Sequence, residues 1–489
     1  MRIPTSRIHW SVALFPVLAA IPFALFLTLK GASSSLILLA GGFPLLIAFI
    51  SPQTGLYLLV FSMLLGPEFL VGGMGGGTTL GRGVTLRFDD FLLMLVGFGW
   101  LARAASSEHE KVFVRTPLNR TITWYVVACI FATLIGILFG RVKPMGGMFF
   151  LLKYYEYFFL YFMTVNLLKE DRQIKHLVMA SLITCALVAL YAISQIPGGE
   201  RVSAPFEGRD GEPNTLGGYL VFMMAIIAGL LATPNALSTK WPYMALMGLA
   251  GIALQATLSR ASFLAAGVVT IGFLLILRRR SPVLVSLLLM GVLAVPIVAP
   301  KAVVDRVLYT FTQPKEEGQI NVGRMRVDTS TSERLRSWQH SVDVWKKSPL
   351  WGMGVTGGPF MDAMYPRVLT EAGLLGICAF FALLWAIFRT SMGAFATFRD
   401  PYMTGLTLGF VMGFIGLLVH AVGSNTFIIV RIMEPFWLYA GIIVKGLLLQ
   451  QRKTEAEGED AERPAAPQFA PRMPMPGFLP GFSARRSSL

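Results

Sequence analysis

Charged side chains are scarce in this sequence. Asp, Glu, Lys and Arg make up 14% of its 489 residues, whereas soluble globular domains carry about 25%. Hydrophobic residues make up 54% instead. Apolar windows of about twenty residues, the length that crosses a bilayer core of about 30 Å, recur almost from end to end. The composition therefore excludes an ordinary soluble protein and predicts a chain integral to a membrane.

Cysteines and metal-ligand patterns are equally sparse. The three cysteines, Cys129, Cys185 and Cys378, all lie inside apolar runs, so we expect neither a disulfide framework nor a thiolate metal site. The five histidines show no paired ligand spacing, which argues against a zinc site. We therefore expect no metal and no cofactor.

Acidic residues are the rarer charge. The sequence has 27 Asp and Glu against 42 Lys and Arg, a net charge of +15, which in isolation would favour a nucleic-acid partner. The basic clusters, such as the arginines at 278–280, instead fall on one side of the membrane when the N-terminus is placed inside, as the positive-inside rule expects. We predict that both termini are cytoplasmic and that nucleic acid is not a partner.

The apolar windows predict an all-α, polytopic membrane bundle of about fourteen spans, because only helices and closed barrels cross a bilayer and the alternating barrel pattern is missing. The predicted spans are 9–29, 33–50, 54–71, 89–104, 121–140, 148–168, 174–196, 215–233, 241–258, 261–277, 282–300, 366–388, 402–421 and 427–449. Residues 1–449 form the predicted membrane domain. Residues 450–489 are polar and then proline-rich, which predicts a disordered cytoplasmic tail.

Residues 301–365 form the longest extramembrane segment between predicted spans, and we expect them to build an outer cap. Ser330 and Glu333 have capping-box spacing, and apolar residues then recur on one face of a helix. This face contains Leu335, Trp338, Val342 and Trp345. The pattern predicts an amphipathic helix that lies either at the headgroup level or against the transmembrane body.

An arginine stands between two apolar runs in the sequence Leu-Ser-Arg-Ala-Ser at 258–262. Arg260 separates the runs 241–257 and 263–277. A cation at or near a membrane boundary is costly, so its presence favours a functional role. The alternative is an arginine that snorkels to the interface and only ends one helix and starts the next.

Further arginines and carboxylates fall on the same predicted outer face. They are Arg209, Arg334 and Arg336 among the cations, and Asp362 and Glu371 among the carboxylates. Guanidinium groups match phosphate oxygens bidentately, so several arginines on one membrane-proximal face favour a phosphate or pyrophosphate ligand. Either carboxylate is a candidate to orient or deprotonate an attacking hydroxyl. A structural salt bridge is the alternative for each.

A glycine-rich run, 352–358, follows the predicted cap helix. Its backbone amides are candidates for an anion-binding nest. A glycine-rich turn before the next span is the alternative interpretation.

Short motifs in a fixed order resemble those of a known family. They are Arg209 with Pro-Asn-Thr-Leu-Gly-Gly-Tyr-Leu at 213–220, Thr-Leu-Ser-Arg-Ala-Ser at 257–262, Glu-Arg-Leu-Arg-Ser at 333–337 with Trp338, Pro-Leu-Trp-Gly-Met-Gly at 349–354, and Leu-Thr-Glu-Ala-Gly-Leu-Leu-Gly at 369–376. Their order and spacing resemble the O-antigen ligase and polymerase superfamily of bacterial inner-membrane proteins.

The resemblance implies a multi-pass, metal-independent glycosyltransferase of the bacterial inner membrane, with residues 301–365 as a periplasmic cap. Its donor would be a glycan on undecaprenyl pyrophosphate, whose anomeric carbon is attacked by an acceptor hydroxyl while the lipid pyrophosphate leaves. Arg209 and Arg260 would hold that leaving group. The implied substrate-binding set is Arg209, Asn214, Arg260, Arg334, Arg336 and Trp338. Membrane lipid and a chain-length regulator are the other implied partners.

One departure from the family pattern separates its two activities. Ligases that join O-antigen to the lipid A core usually carry a histidine shortly before the motif that contains Glu371; this chain has Asp362 and no histidine there. The departure favours a polymerase of O-antigen or exopolysaccharide repeat units, with Asp362 as a substitute base, over a ligase. A transporter or flippase is the third hypothesis, with Glu156 as its candidate binding residue at the bilayer midplane.

Overall fold

The structure is a computed structural model that describes residues 47–48, 50–71, 84–106, 113–206, 211–233, 240–277, 313–314, 319, 321–322, 325–326, 329–359 and 361–462. Helices dominate these ranges, as expected for a chain whose backbone must satisfy its own hydrogen bonds in a membrane. The chain divides into two compact units, Met1–Leu449 and Gln450–Leu489.

Twelve α-helices form most of the described part of the chain. In chain order they are α1 (Pro52–Leu65), α2 (Phe88–Ser106), α3 (Asn119–Leu138), α4 (Pro144–Leu167), α5 (Asp171–Ser194), α6 (Pro213–Leu231), α7 (Trp241–Ala256), α8 (Arg260–Leu277), α9 (Thr329–Trp345), α10 (Met364–Thr397), α11 (Pro401–His420) and α12 (Val430–Glu462). Two antiparallel ribbons accompany them. Strand β1 (Glu68–Val71) pairs with β2 (Val84–Arg87), and β3 (Asn321–Val322) pairs with β4 (Met325–Arg326).

Seven of the described helices are long and apolar enough to cross a membrane, namely α3, α5, α6, α8, α10, α11 and α12. The prediction of an all-α, multi-pass membrane protein is therefore confirmed. The count of about fourteen spans is not supported. The predicted spans 9–29 and 282–300, and most of 33–50, lie outside the described residues.

Some predicted spans are not among the seven spanning helices because the helix is too short or because polar side chains lower its apolar character. Helices α1 and α7 have 14 and 16 residues, and at about 1.5 Å per residue they fall short of a bilayer core. The predicted span 54–71 is wrong at its end, because α1 stops at Leu65 and β1 follows. Helices α2 and α4 have the length, but charged residues such as Asp89 and Lys153 reduce their apolar character.

Helices α6 and α11 pack backbone against backbone. A Cβ on Gly229 of α6 would lie 2.2 Å from the Gly405 carbonyl oxygen and 2.5 Å from the Gly409 nitrogen. Such small-residue contacts are typical of helix pairs in membranes. The contact brings α6, which carries Asn214 in its first turn, beside α11, which ends at His420.

Helix α10 is interrupted where the segment after α9 crosses it. Gly373 has non-helical dihedrals inside α10, with φ 63° and ψ −160°. The Leu374 N–H donates to the Pro349 carbonyl at 2.9 Å, and the Leu375 N–H donates to the Leu350 carbonyl at 3.0 Å. These bonds satisfy amides that the break removes from the helical ladder, so the crossing segment becomes part of the bundle.

The C-terminal unit begins in helix rather than in disorder. Helix α12 continues to Glu462, so residues 450–462 of the predicted disordered tail are helical. Good helix formers such as Gln, Arg, Lys, Glu and Ala dominate this stretch, which accounts for the extension. Residues 463–489 lie outside the described residues.

Candidate active site

The turn between α7 and α8 is strained. Leu258 has a φ of 49°, in the left-handed region that costs an ordinary L-residue about 1–2 kcal/mol. Side-chain contacts hold this backbone: the Ser259 N–H donates to Thr257 Oγ1 at 3.2 Å, and Arg201 Nε donates to the Thr257 carbonyl at 3.0 Å. Strain maintained by surrounding contacts is typical of a functional site.

Arg260 follows this turn directly, as the first residue of α8, and is partly exposed. Ser259 caps the helix, because its Oγ accepts the Ser262 N–H at 3.4 Å. The N-terminal end of a helix carries a partial positive charge and exposed amides. The helix end and the arginine together favour an anion at this point.

Five polar side chains, here called the hydroxyl relay, connect this turn to α6 and to the end of α11. They are Asn214, Ser259, Ser262, His420 and Thr426. Ser259 Oγ donates to Asn214 Oδ1 at 2.7 Å, and Ser262 Oγ donates to Ser259 Oγ at 2.8 Å. His420 Nε2 lies 3.2 Å from Ser262 Oγ, and His420 Nδ1 lies 2.8 Å from Thr426 Oγ1. All members except Asn214 are buried.

The directions of these bonds indicate which ring nitrogen of His420 carries a proton. With the Asn214 amide oxygen facing Ser259, the Ser259 hydroxyl proton is used there, so Ser262 donates to Ser259. The Ser262 oxygen can then only accept from the imidazole, which places the His420 proton on Nε2. In a neutral imidazole, Nδ1 then accepts from the Thr426 hydroxyl. His420 is therefore bonded at both ring nitrogens, and with 0% exposure it is enclosed by the protein.

Two glycines of α6 make room for the relay. A Cβ on Gly217 would lie 2.2 Å from Ser262 Oγ, and a Cβ on Gly218 would lie 3.0 Å from His420 Cε1 and 2.7 Å from Ile432 Cδ1. Any larger residue would push α6 away from α8 and α11. The Gly-Gly pair therefore allows Asn214 to reach Ser259.

Arg334 of α9 reaches the same region. A Cβ on Gly423 would lie 3.5 Å both from Arg334 Nη1 and from the Cβ of Ala261, the residue after Arg260. Arg334 Nη2 is 3.8 Å from Asp362 Oδ2, and the two side chains are 27% and 49% exposed. Partial burial raises the pKa of Asp362, and the Arg334 guanidinium opposes that rise. The sequence candidates that meet here are Asn214, Arg260, Arg334 and Asp362.

Glu371 lies in a second, more deeply buried network. Arg367 Nε donates to Glu371 Oε1 at 3.0 Å, and Arg367 Nη2 donates to Tyr154 Oη at 3.2 Å. The Thr356 N–H lies 3.5 Å from the same Glu371 oxygen. Tyr154, Arg367 and Glu371, with Cys129, line a small cavity between α3, α4 and α10. The contacts of Glu371 are those of a structural salt bridge, the alternative to a catalytic role that the sequence left open for this carboxylate.

A family comparison covers this part of the chain. Residues 244–377 match the family model described as O-antigen ligase. We call this matched stretch the O-antigen ligase domain. The resemblance to the O-antigen ligase and polymerase superfamily is thereby confirmed, and no curated protein matches the chain. The match runs from α7 into α10, and so includes the strained turn and α9.

The glycine run 352–358 of the O-antigen ligase domain uses its amides internally. The Gly354 N–H donates to the Glu371 carbonyl at 2.9 Å, and the Val355 N–H donates to Thr133 Oγ1 at 3.2 Å. Further amides bonded within the protein are those of Gly352, Met353, Thr356 and Gly357. An anion nest needs free amides, so the structural turn is the better interpretation.

Two glycines of the O-antigen ligase domain interlock. Gly352 and Gly373 have φ values of 72° and 63°. A Cβ on Gly352 would lie 2.6 Å from the Gly373 nitrogen, and a Cβ on Gly373 would lie 2.5 Å from the Gly352 nitrogen. Both the backbone conformation and the close approach require glycine. These two motif positions therefore shape the domain.

The remaining sequence candidates lie at the edge of the described site or beyond it. Arg209 lies outside the described residues. Arg336 is exposed on α9. The apolar stripe of α9 is partly exposed, with Leu335, Trp338 and Val342 exposed to 37%, 36% and 39%. This partial exposure is compatible both with a headgroup-level position and with packing on the transmembrane body.

The relay contains residues that sequence reasoning did not identify as functional. Ser259 and Ser262 flank Arg260 at helix-capping spacing, and this was a usable signal. Helix α11 contains no Asp, Glu, Lys or Arg, and His420 is its single histidine, which marks it as an unusual polar residue in an apolar helix. No local pattern indicates that His420 meets Ser262.

Proposed function

We propose that this protein is a membrane-embedded glycosyltransferase that polymerises undecaprenyl-pyrophosphate-linked repeat units of a surface polysaccharide, O-antigen or exopolysaccharide. The observation that carries the proposal is the position of Arg260, which begins α8 on a strained, hydrogen-bonded turn inside the O-antigen ligase domain. Arg334 lies beside the same turn. Two guanidinium groups at a helix N-terminus suit the charge of a leaving pyrophosphate.

In the proposed reaction, an acceptor hydroxyl attacks the anomeric carbon of the donor glycan. The new C–O bond forms as the bond to the lipid pyrophosphate breaks, and the bonding electrons leave with the pyrophosphate. Arg260 and Arg334, together with Arg209, stabilise the charge that develops on this group. Guanidinium groups thus supply the positive charge without a metal ion.

The acceptor proton is assigned to Asp362. Its partial exposure allows contact with an acceptor, and its raised pKa lies closer to the range in which a general base works well at neutral pH. Asn214, Arg336 and Trp338 are assigned to glycan and lipid contacts. Glu371 is assigned a positioning role, because its carboxylate is already engaged by Arg367.

A ligase that transfers the glycan to the lipid A core, or to another acceptor, is the alternative. The family description favours a ligase, whereas the lack of a histidine shortly before Glu371 favours a polymerase. The enclosed imidazole of His420 does not replace that histidine as a base in contact with substrate. We therefore retain polymerisation as the first proposal.

We propose the periplasmic face of a bacterial inner membrane as the site of reaction, with both termini cytoplasmic and residues 301–365 as the outer cap. The distribution of basic clusters supports this orientation. The partly exposed apolar stripe of α9 suits a headgroup-level position, where the lipid-linked donor presents its pyrophosphate. A chain-length regulator is a further proposed partner.

Transport receives less support from the structure. Its midplane candidate, Glu156, already pairs with Lys153, with Nζ 3.3 Å from Oε2, and its side chain is 10% exposed. A substrate-binding carboxylate in a transporter needs access from a cavity. The charged site at the start of α8 is also better suited to holding an anion than to passing it.

Reconstitution of the purified protein in vesicles with undecaprenyl-pyrophosphate-linked repeat units tests the proposal, with the products resolved by gel and mass spectrometry. We expect a ladder of longer lipid-linked glycans without any added acceptor. The matched control is Arg260→Ala in the same vesicles, which should give no ladder.

The alternatives give different products. Transfer only after lipid A core is supplied would replace the polymerase by the ligase. Movement of intact lipid-linked units across the vesicle membrane, with no new glycosidic bond in either assay, would contradict the glycosyltransferase proposal and favour transport.

A further inference from the structure

A group of charged side chains, here called the buried charge cluster, lies where the β2–α2 junction meets α4 and α12. Its members are Arg87, Asp89, Asp90, Lys153, Glu156 and Glu434. Arg87 pairs with Asp89 and, through Nη2, with Glu434 Oε2 at 3.3 Å. These three side chains are 7%, 1% and 1% exposed. The cluster belongs to no part of the proposed glycosyl transfer.

The second half of the cluster is built on α4. Lys153 pairs with Asp90 and, through Nζ, with Glu156 Oε2 at 3.3 Å. The Lys153 side chain is 14% exposed, and both carboxylates are 10% exposed. Lysine and arginine therefore each hold two carboxyl groups in an environment that water scarcely reaches.

Carboxyl groups outnumber cations in this cluster. Its members include two cations and four carboxyl groups, so full ionisation would leave two excess negative charges in the interior. Arg431, one turn before Glu434 in α12, and Tyr157, next to Glu156 in α4, donate to the backbone carbonyls of Pro205 and Phe427 at 2.7 Å and 3.1 Å. Even with Arg431 counted, these described residues supply three cations for four carboxyl groups. Buried charge without a partner is strongly unfavourable.

Two carboxylate oxygens also lack a hydrogen-bond donor. Among the described residues, Asp89 Oδ1 and Glu156 Oε1 are buried and accept no hydrogen bond, and the buried Arg87 Nε donates none. The carboxyl groups of Asp89 and Glu434 both contact the same guanidinium nitrogen, Arg87 Nη2, and so lie next to each other. Two ionised carboxylates only accept, so this contact becomes a hydrogen bond only when one of them carries a proton. The same arrangement is used wherever two close carboxyl groups share a proton.

We propose that the buried charge cluster is a proton-binding site, in which Asp89 and Glu434 share one proton at neutral pH. The shared proton removes one excess charge and supplies the missing donor. Glu156 Oε1 is the position for a second proton, which would bring the two cations into balance with two negative charges. The bound proton holds the start of α2 to α12, because the Asp89–Glu434 bond joins these two elements.

Infrared spectroscopy of the purified full-length protein tests the site directly. A protonated carboxyl group has a C=O stretching band separate from that of a carboxylate, and exchange into D2O shifts it. We expect such a band at neutral pH, and we expect the part of its intensity that comes from the Asp89–Glu434 pair to be lost in Glu434→Gln and in Asp89→Asn. The matched control is Asp343→Asn, since Asp343 pairs with Lys346 but is 68% exposed, and this variant should keep the band.

The variants Glu434→Gln and Asp89→Asn keep the size and hydrogen-bonding capacity of a protonated carboxyl group, so they should preserve the fold. Absence of a protonated-carboxyl band in the wild type at neutral pH would overturn the proposal. A band that keeps its full intensity in Glu434→Gln, Asp89→Asn and Glu156→Gln alike would also overturn it, since the proton would then lie elsewhere.

Thermal unfolding gives a second readout. A folded state that binds more protons than the unfolded state loses stability as pH rises, up to tenfold in the folding equilibrium constant per pH unit for each proton. We expect the unfolding midpoint of the wild type to fall above neutral pH more steeply than that of Glu434→Gln. Equal slopes in the wild type, Glu434→Gln and Asp343→Asn would contradict the proposal. Neither readout depends on glycosyltransferase activity.

Discussion

The hydroxyl relay and the buried charge cluster are two polar groups enclosed in an otherwise apolar bundle, and they differ in charge. The relay is neutral, and its bond directions follow from one end to the other. The cluster contains more carboxyl groups than cations and leaves Asp89 Oδ1 without a donor. A neutral, satisfied chain of bonds orients a backbone at little electrostatic cost. An unbalanced ionic cluster needs further charge, which a proton can provide.

The largest effect that we expect is a loss of protein stability when a cation of the buried charge cluster is removed. Arg87→Gln removes the cation that holds Asp89 and Glu434, and loss of one partner of a buried ion pair costs about 3–5 kcal/mol. The unfolding midpoint of the purified protein measures this loss. Glu434→Gln is the control, because it leaves a neutral partner in place and should unfold near the wild-type midpoint at neutral pH. Equal unfolding midpoints for Arg87→Gln and the wild type would show that the cluster does not depend on this cation, and the two polar groups would then not differ in their need for charge.

Arg260→Ala tests the site that the hydroxyl relay supports, and its readout is enzymatic activity. Loss of one charge-stabilising donor at a reacting group typically lowers kcat by about 10²–10³-fold, so glycan extension should nearly vanish while the amount of folded protein in the membrane stays unchanged. Arg260→Lys should restore little, because an ammonium group lacks the guanidinium fork. Arg172→Ala, at an exposed position in α5, is the control. Full activity in Arg260→Ala would disprove the role in holding the leaving group.

Ser262→Ala breaks the relay without changing any charge. The His420 Nε2–H loses its acceptor, which costs about 1–3 kcal/mol when the group is buried. Because the capped turn loosens, glycan extension should show kcat lowered by about tenfold or more, with KM little changed. Ser62→Ala is a matched control, since that buried hydroxyl bonds only within α1 to the Leu59 carbonyl. A Ser262→Ala protein with normal kcat would show that the relay serves folding alone.

The smallest effect concerns the pH dependence at the exposed edge of the site. A general base works only when deprotonated, so activity falls as pH drops through its pKa. Burial raises the pKa of Asp362, and Arg334 lowers it. Arg334→Gln should therefore raise that pKa further and move the acid limb of the kcat–pH profile to higher pH. An unmoved acid limb, or one that survives in Asp362→Asn, would exclude Asp362 as the base.

Much of the fold was predictable because it depends on local patterns. The cap helix predicted from Ser330, Glu333 and its apolar stripe is present as α9, and most predicted spans within the described ranges coincide with helices. The count of about fourteen spans is not supported for the described residues, because hydropathy does not show where a helix ends, and α7, with 16 residues, is too short to cross a bilayer core. The motif around Arg260 was identified from the sequence. The hydrogen bond by which His420 supports that turn through Ser262 was not.

By itself, the sequence determined a multi-pass helical membrane protein with an O-antigen ligase domain and an arginine at the start of one of its helices. These properties follow from composition, periodicity and short motifs, which act between neighbouring residues. Only the tertiary structure decided that His420 joins Ser262 and that Glu434 joins Arg87 beside Asp89. Such contacts depend on how closely helices approach, and the approach is set by glycine contacts such as that of Gly217 with Ser262. Hydrogen bonds act over about 3 Å, so the packing of distant segments decides which polar side chains become partners.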